Sequence, residues 1–330
     1  MVSTSFQWWV TSTAADENRK LERITERLPS LGRILITGTG GFIGGALVGA
    51  FRAAGVEPYE IRNRRDLDLR HAPAVSHRVA EVRPQVIIHL AASPDHPEGQ
   101  PNGFVDAHNT IAGALNLVNA VPDDQPCTFV HAGTFKQYGD VAVPFIESGP
   151  TAPISLYGRS KHLAESIVRL RRADSKRFRA ICVRLGSVFG PGQGPGQLVP
   201  HCIDRIGTGR ARDLVLRNVL WDPIFITDVI VGMWQCLLHL PPSTLVINLG
   251  GGVAYRVPDV AALIANVLDG SLSTVDCYDE PVGHQCLGDV RLARQVLGWA
   301  PAVSLRRGIE ITIDHFGATG TRPVSWQREP

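Results

Sequence analysis

Tyr157 and Lys161 stand four residues apart in Leu156-Tyr157-Gly158-Arg159-Ser160-Lys161. On a helix that spacing puts both side chains on one face. A phenol with its ordinary pKa of about 10 is a poor base at neutral pH, and a neighbouring ammonium favours the phenolate. Such a pair can give or take the proton of a carbonyl/alcohol couple. Thr134, in His131-Ala132-Gly133-Thr134-Phe135-Lys136-Gln137-Tyr138-Gly139, adds a hydroxyl that can donate to the same oxygen and steady its developing charge. Helices offer many Tyr-x-x-x-Lys pairs, and a threonine after a strand is most often a turn or cap residue. The three therefore gain meaning only from the elements that position them.

The first of these elements is Thr37-Gly38-Thr39-Gly40-Gly41-Phe42-Ile43-Gly44, which follows the apolar run Ile34-Leu35-Ile36 and opens a predicted helix over 42–54. Gly38 permits the tight turn, Gly41 lets backbone approach a pyrophosphate, and Gly44 lets the helix pack close to the strand. The phosphates then sit at the positive helix end, near Phe42 and Ile43. A ligand-free βα turn would use the same glycines, but strand–turn–helix context favours a dinucleotide. Lys161 can also hydrogen-bond the nicotinamide ribose. Where the second strand ends, Glu57 to Arg65 reads Glu-Pro-Tyr-Glu-Ile-Arg-Asn-Arg-Arg, with the tip at Arg62. A 2′-phosphate would meet Arg62, with Arg64 or Arg65 assisting through forked donors. NADP is favoured on this ground. NAD stays open through Glu60, and a solvated basic turn is the bland alternative.

Composition narrows the setting. The chain has 330 residues, 44% hydrophobic, with a formal net charge of +2, enough for a large core and too weakly charged for a nucleic-acid partner. No apolar run reaches the roughly 18 residues of a membrane span, and no basic segment followed by an apolar stretch marks a signal peptide. Cys127, Cys182, Cys202, Cys236, Cys277 and Cys286 form no C-x-x-C pair. They read as reduced core residues of a cytoplasmic protein, with no disulfide frame and no metal site.

Short β-branched runs (Ile34-Leu35-Ile36, Val86-Ile87-Ile88, Phe129-Val130, Ala180 to Leu185) alternate with helical segments such as 42–54 and 104–120. The fold class is α/β, a Rossmann-type doubly wound parallel sheet with a smaller C-terminal substrate-binding lobe. Ile224-Phe225-Ile226 and Leu245-Val246-Ile247 read as strands returning to the sheet. The expected division is an extension over 1–30, a dinucleotide-binding part over 31–186 with about 220–254, and a substrate lobe over 187–219 with 255–330. Within the extension, Asp16 to Leu28 reads as a helix ended by Pro29. Phe6, Trp8 and Trp9 dock on the body or on a second subunit, or belong to an ordinary tail.

With these residues in hand, the chain resembles the extended short-chain dehydrogenase/reductases, the NAD(P)-dependent epimerase/dehydratase family that acts mostly on nucleotide sugars. Besides the glycine turn and the Tyr157/Lys161 pair, the resemblance rests on Asp68-Leu69, His89-Leu90-Ala91-Ala92, and Asn109 with Gly113 and Asn116. It also rests on Arg184-Leu185-Gly186-Ser187-Val188-Phe189-Gly190-Pro191-Gly192, Asp228-Val229 and Leu297-Gly298-Trp299-Ala300-Pro301. It implies that Asp68 and Leu69 contact the adenine and that Leu90, Ala91, Ala92 and Leu185 line the cofactor. It implies Ser93, Lys136, Ser187, Val199, Arg217 and Trp221 around a small-molecule substrate. It also implies a homodimer paired through helices near 104–120 and 157–173.

The family's reactions separate beside Thr134. Its 4,6-dehydratases place Asp-Glu after the catalytic serine or threonine, its decarboxylases a glutamate, and its 3,5-epimerising fucose synthases a cysteine two residues on. Here Phe135-Lys136 stand there, so ketone reduction and 4-epimerisation remain. An epimerase regenerates its cofactor and typically holds NAD, whereas a net reductase consumes NADPH. Arg62 therefore favours a ketoreductase of 4-keto-6-deoxy sugars, with an NAD-dependent 4-epimerase or a reductase of a non-sugar carbonyl as alternatives. Trp221 stands where the family often carries a pyrophosphate-gripping arginine, and residues 271–288 supply no second one. Arg210, Arg212 or Arg217 could substitute.

Overall fold

The structure is a computed structural model that describes residues 15–93, 103–268, 276–278 and 285–318. Its centre is a six-stranded parallel sheet built from β1 (Ile34–Thr37), β2 (Tyr59–Ile61), β3 (Val86–His89), β4 (Cys127–Thr134), β5 (Phe178–Leu185) and, far along the chain, Val246–Leu249. The spatial order is β2, β1, β3, β4, β5 and then Val246–Leu249. The core positions of β1, β3 and β5 are buried on both faces, as expected of strands covered by helices on each side. These helices are α1 (Ala15–Thr25), α2 (Phe42–Ala53), α3 (Ala72–Val82), α4 (Gly103–Ala120) and α5 (Leu156–Asp174). The chain leaves β1 for β2 on one side and later returns as β3 on the other. That switch point opens a crevice at the carboxyl ends of the strands, where such sheets bind ligands.

Alternation along the strands sorts residues between two apolar clusters. Leu35, Ile87, Phe129 and Ala180 pack with Val75, Val79, Leu117 and Val168 on the α3–α5 side, whereas Ile36, Ile88, Val130 and Ile181 pack on the other.

Beyond β5 the chain makes β6 (Ser187–Phe189), α6 (Leu198–Gly207), β7 (Val215–Arg217), β8 (Leu220–Trp221), β9 (Pro223–Phe225) and α7 (Ile226–His239) before the sixth sheet strand, β10 (Val246–Leu249). After β10 come β11 (Tyr255–Arg256), α8 (Val257–Val267), β12 (Asp276–Tyr278), α9 (Arg291–Leu297) and α10 (Leu305–Ala318). Three small two-stranded pairings, β6 with β9, β7 with β12 and β8 with β11, lie outside the main sheet.

The structure departs from two of the sequence expectations. The run at 224–226 does not return to the main sheet: β9 pairs in parallel with β6, Ile224 opposite Val188. A three-residue apolar run fixes burial but not its partner, and β6 starts at Ser187, only Gly186 separating it from the end of β5. Near the N-terminus the helix ends at Thr25, and Pro29 lies inside a separate 3-10 turn over Leu28–Leu31, since proline is tolerated in the first turn of a helix. Leu21, Ile24 and Leu28 are buried in the main cluster, and Arg27 meets His239 of α7 at 2.5 Å, so residues 21–28 are docked on the body. Phe6, Trp8 and Trp9 lie outside the described residues.

Cys127, Cys182, Cys202 and Cys236 are buried free thiols and Cys286 is a half-buried one. Among the described residues there is no cluster able to hold a metal, and no helix is long and apolar enough to cross a membrane.

Candidate active site

A cavity of about 320 Å³ occupies the switch-point crevice. Gly38 and Gly41 line it, with Arg62, Asp68, Leu69, Leu90, Ala91, Ala92 and Ser93. Gly38 has φ +80°, and a Cβ there would come within 2.6 Å of Ala91 N. Gly44 abuts the same turn, where a Cβ would lie 2.2 Å from the Gly38 carbonyl oxygen. Glycine is therefore required at both positions, by backbone conformation and the close approach of Ala91 at the first and by helix–turn contact at the second. Gly41 precedes α2 without any side-chain cap, so the amides of the first turn, from Phe42 onward, have no capping partner of their own residue and suit an anion. The cradle, the cavity and this helix terminus together fit a dinucleotide. Phe42, Ile43, Gly44, Lys161 and Leu185 do not line the cavity itself.

The part of the cavity around Asp68 and Leu69 is more elaborate than the sequence suggests. Asn116 Nδ2 donates to Leu69 O at 2.8 Å, and a Cβ on Gly113 would stand 3.4 Å from Leu69 Cβ, so α4 fixes the Asp68-Leu69 loop. Arg70 grips both oxygens of Asp68, at 2.8 and 2.5 Å, and holds that carboxyl down at about 2. Arg64 and Arg70 both line the cavity. The basic run exposed Arg64 to sequence reasoning, but no pattern marked Arg70.

Beyond the cavity, β4 delivers Thr134 to the carboxyl end of the sheet. Thr134 caps the 3-10 turn Phe135–Gln137. Its Oγ1 accepts from Lys136 N at 3.3 Å. A hydroxyl has one donor and two acceptor sites, so this contact leaves its proton available for a further acceptor. Ser155 caps α5, accepting from Gly158 N at 3.1 Å. A Cβ on Gly158 would come within 2.5 Å of Lys136 O. The missing side chain lets the first turn of α5, with half-buried Tyr157, press against the turn that follows Thr134.

Lys161 is buried, and its Nζ donates to Ala132 O at 2.7 Å. Below it lie His89 and His131, paired across β3 and β4 with ring centroids 5.9 Å apart. Burial pushes His89 down to about 3 and His131 well below the ordinary imidazole range, with the Lys161 charge adding to both. Both rings are therefore neutral. Burial also pushes Lys161 down to about 8.

Sequence reasoning missed the group that holds Thr134. Gln137 Oε1 accepts from Thr134 N at 2.8 Å, while its Nε2 donates to Glu165 Oε2 at 2.7 Å. Glu165 in turn takes a forked pair of bonds from Arg184, at 3.0 and 2.7 Å. The Arg184 guanidinium lies 4.7 Å from the Tyr138 ring centroid, and Tyr138 donates to Asn248 Oδ1 at 2.8 Å. The available signal was Glu165 itself, a carboxylate four residues past Lys161 on the buried stripe of α5.

Phe135 is buried against Tyr138 and Phe145, with ring centroids 6.1 and 6.0 Å away. The carboxylate expected there in dehydratases is thus replaced by a core aromatic. Among the remaining candidates, Lys136 and Arg217 are exposed, Ser187 and Trp221 half-buried, and Val199 fully buried in the main apolar cluster. The Trp221 ring lies 6.1 Å from that of Phe189. Its neighbour Asp222 is buried and accepts from Gly252 N and Gly288 N at 3.0 and 2.8 Å. Burial pushes that carboxyl up to about 6 against the pull of these donors.

Comparison with known proteins places this geometry in context. The model of the NAD dependent epimerase/dehydratase family matches residues 34–250. A UDP-glucose 4-epimerase of Azospirillum brasilense is 25% identical over 344 residues, covering 90% of this chain and 98% of its own. The structure of a UDP-glucose 4-epimerase of Thermus thermophilus in complex with NAD superposes with a TM-score of 0.75 at 24% identity, over 86% of this chain and 99% of that one. The structure of RMD from Pseudomonas aeruginosa complexed with NADPH superposes with a TM-score of 0.74 at 22% identity, over 87% of this chain and 99% of that one.

Proposed function

Because the chain belongs to the NAD dependent epimerase/dehydratase family, we propose that it is an NADPH-dependent ketoreductase of a nucleotide-activated 4-keto-6-deoxy sugar. The observation that carries the direction of the reaction is at the tip of β2. Arg62 and Arg64 line the cavity, while the nearest carboxylate on that strand, Glu60, is held by Arg52 at 2.7 Å and does not line it. A forked guanidinium suits a 2′-phosphate, and NADPH is the reductant of a net reduction. The part of the chain over 31–186 with about 220–254 holds the cofactor in this reading. The segments 187–219 and 255–330 hold the substrate, with Ser93, Lys136, Ser187, Val199, Arg217 and Trp221 about it.

When bound, the nicotinamide supplies a hydride to the carbonyl carbon. Tyr157 holds the proton at its phenolic oxygen and releases it to the carbonyl oxygen. Lys161, one helical turn on, supplies the positive charge that stabilises the phenolate left behind. Thr134 donates its hydroxyl proton to the same oxygen, oriented by the Gln137–Glu165–Arg184 group. The apolar packing of Phe135 leaves no carboxylate beside Thr134 to eliminate water. The relative that is a UDP-glucose 4-epimerase supports a second reading, 4-epimerisation with retained NAD, which uses the same residues.

Exposed Phe104 and Val105 on α4, and Leu163 and Leu170 on α5, the last 72% exposed, support pairing of two copies through these helices. The cytoplasm is the proposed location.

Replacing Arg62 with aspartate tests the cofactor reading. Charge-assisted hydrogen bonds contribute about 1.5–3 kcal/mol, so NADPH kcat/KM is expected to fall roughly 10–100-fold while NADH improves. Unchanged preference would show that another residue reads the 2′-phosphate.

The depressed Lys161 pKa gives a pH dependence. A lysine at about 8 is charged below that pH and loses its proton as pH rises through it. Because kcat/KM reports groups of the free enzyme, it is expected to be level in mildly acid to neutral solution and to fall as pH rises through about 8. The protein with Lys161→Arg, whose charge persists, should lose this break, and a wild-type profile with no fall above about 8 would contradict the assignment.

A further inference from the structure

Glu60 and Arg62 lie two residues apart at the end of β2, so their side chains leave the strand on the same side. Ile61 between them points the other way, into the cluster with Leu35 and Ile87. Two strand residues span roughly 7 Å, within reach of a glutamate and an arginine extending toward each other. Yet among the described residues the Arg62 guanidinium has no hydrogen-bond or ion-pair partner. Glu60 is taken instead by Arg52 of α2, whose Nη2 lies 2.7 Å from one Glu60 oxygen. The same guanidinium is anchored from behind by Glu57, at 2.6 Å from Nη2 and 3.0 Å from Nε. Glu60 is 18% exposed in this clamp, and Arg52 is 49% exposed.

Resting on the NADPH reading above, we infer that Arg52 is a specificity-determining residue that acts through Glu60. Held on the α2 side, the Glu60 carboxylate neither neutralises Arg62 nor accepts from a ribose 2′-hydroxyl. The Arg62 guanidinium is thereby left open to a phosphate. Released, Glu60 would pair with Arg62 or turn toward the ribose, and either outcome opposes a 2′-phosphate. Arg52 touches no cofactor atom in this scheme and is a positioning residue.

The test compares dissociation constants of NADP⁺ and NAD⁺ for the full-length wild type, Arg52→Ala, Glu60→Gln and the double variant, with thermal melting to verify folding. Arg52→Ala is expected to weaken NADP⁺ by about fivefold, the scale of one exposed ion pair, without weakening NAD⁺. Glu60→Gln in that background is expected to restore NADP⁺ binding, and Glu60→Gln alone to leave it intact. If the double variant stays as weak as Arg52→Ala, the loss comes from the Arg52 charge itself and the inference is overturned. Wild-type preference for NADP⁺ with an unchanged Arg52→Ala overturns the inference alone. A wild type that binds NADP⁺ no tighter than NAD⁺ overturns the cofactor reading and this inference with it.

Discussion

Phenylalanine in place of Tyr157 is expected to lower kcat by about 10²–10⁴-fold, the range that one positioned acid contributes, with NADPH affinity unchanged. The substitution removes only the hydroxyl. The ring stays in the first turn of α5, whose start is set by Ser155 accepting from Gly158 N and by the contact of Gly158 with Lys136 O. The cavity that would hold the adenosine half lies elsewhere, along Gly38, Arg62, Asp68 and Ala91. Stopped-flow hydride transfer and a fluorescence titration of NADPH separate the two quantities. Full turnover would remove Tyr157 from the chemistry, and a parallel loss of NADPH affinity would make it a binding residue.

Removing Glu165 is expected to have the largest effect on stability. Its carboxylate is 1% exposed and the side chain of its partner Arg184 2% exposed, with 2.7 Å between them. Breaking a buried pair by deleting one partner leaves an uncompensated charge and costs about 3–5 kcal/mol. Glu165→Ala should lose that much in denaturant unfolding. Glu165→Ala with Arg184→Met should regain much of it, because no buried charge is then stranded. The single variant should also lower kcat, since Gln137 loses the acceptor that fixes its amide and with it the anchor of Thr134 N. A Glu165→Ala protein as stable as wild type would show that water or a rearranged side chain satisfies Arg184.

Much of this was legible in the chain itself. The spacing of Gly38, Gly41 and Gly44 states a backbone requirement that the structure explains atom by atom, through the approach of Gly38 to Ala91 and of Gly44 to Gly38. The tip of β2 at Arg62 could be placed by its register from the glycine turn. What stayed hidden depends on partners distant in sequence. Arg52 and Glu60 meet across a helix–strand connection. Gln137, Glu165 and Arg184 come from a turn, a helix and a strand. Local pattern shows which face a residue takes and does not show whom it meets there. The same limit misdirected the run at 224–226, whose apolar character was right and whose partner, β6 instead of the main sheet, was not. The catalytic candidates rest on spacing and place, with Tyr157 and Lys161 four residues apart and with Thr134 and Tyr157 at what the structure shows to be a strand end and a helix start.

Net reduction is the central claim, and its most direct measurement is the stoichiometry of NADPH oxidation against product. Purified protein is supplied with NADPH carrying deuterium at the transferable position and with a nucleotide-linked 4-keto-6-deoxy sugar. The expected result is one NADPH consumed per alcohol formed, with the deuterium at the carbinol carbon of the product. Interconversion of nucleotide-sugar epimers without NADPH consumption, by protein that releases stoichiometric NAD on denaturation, would contradict it.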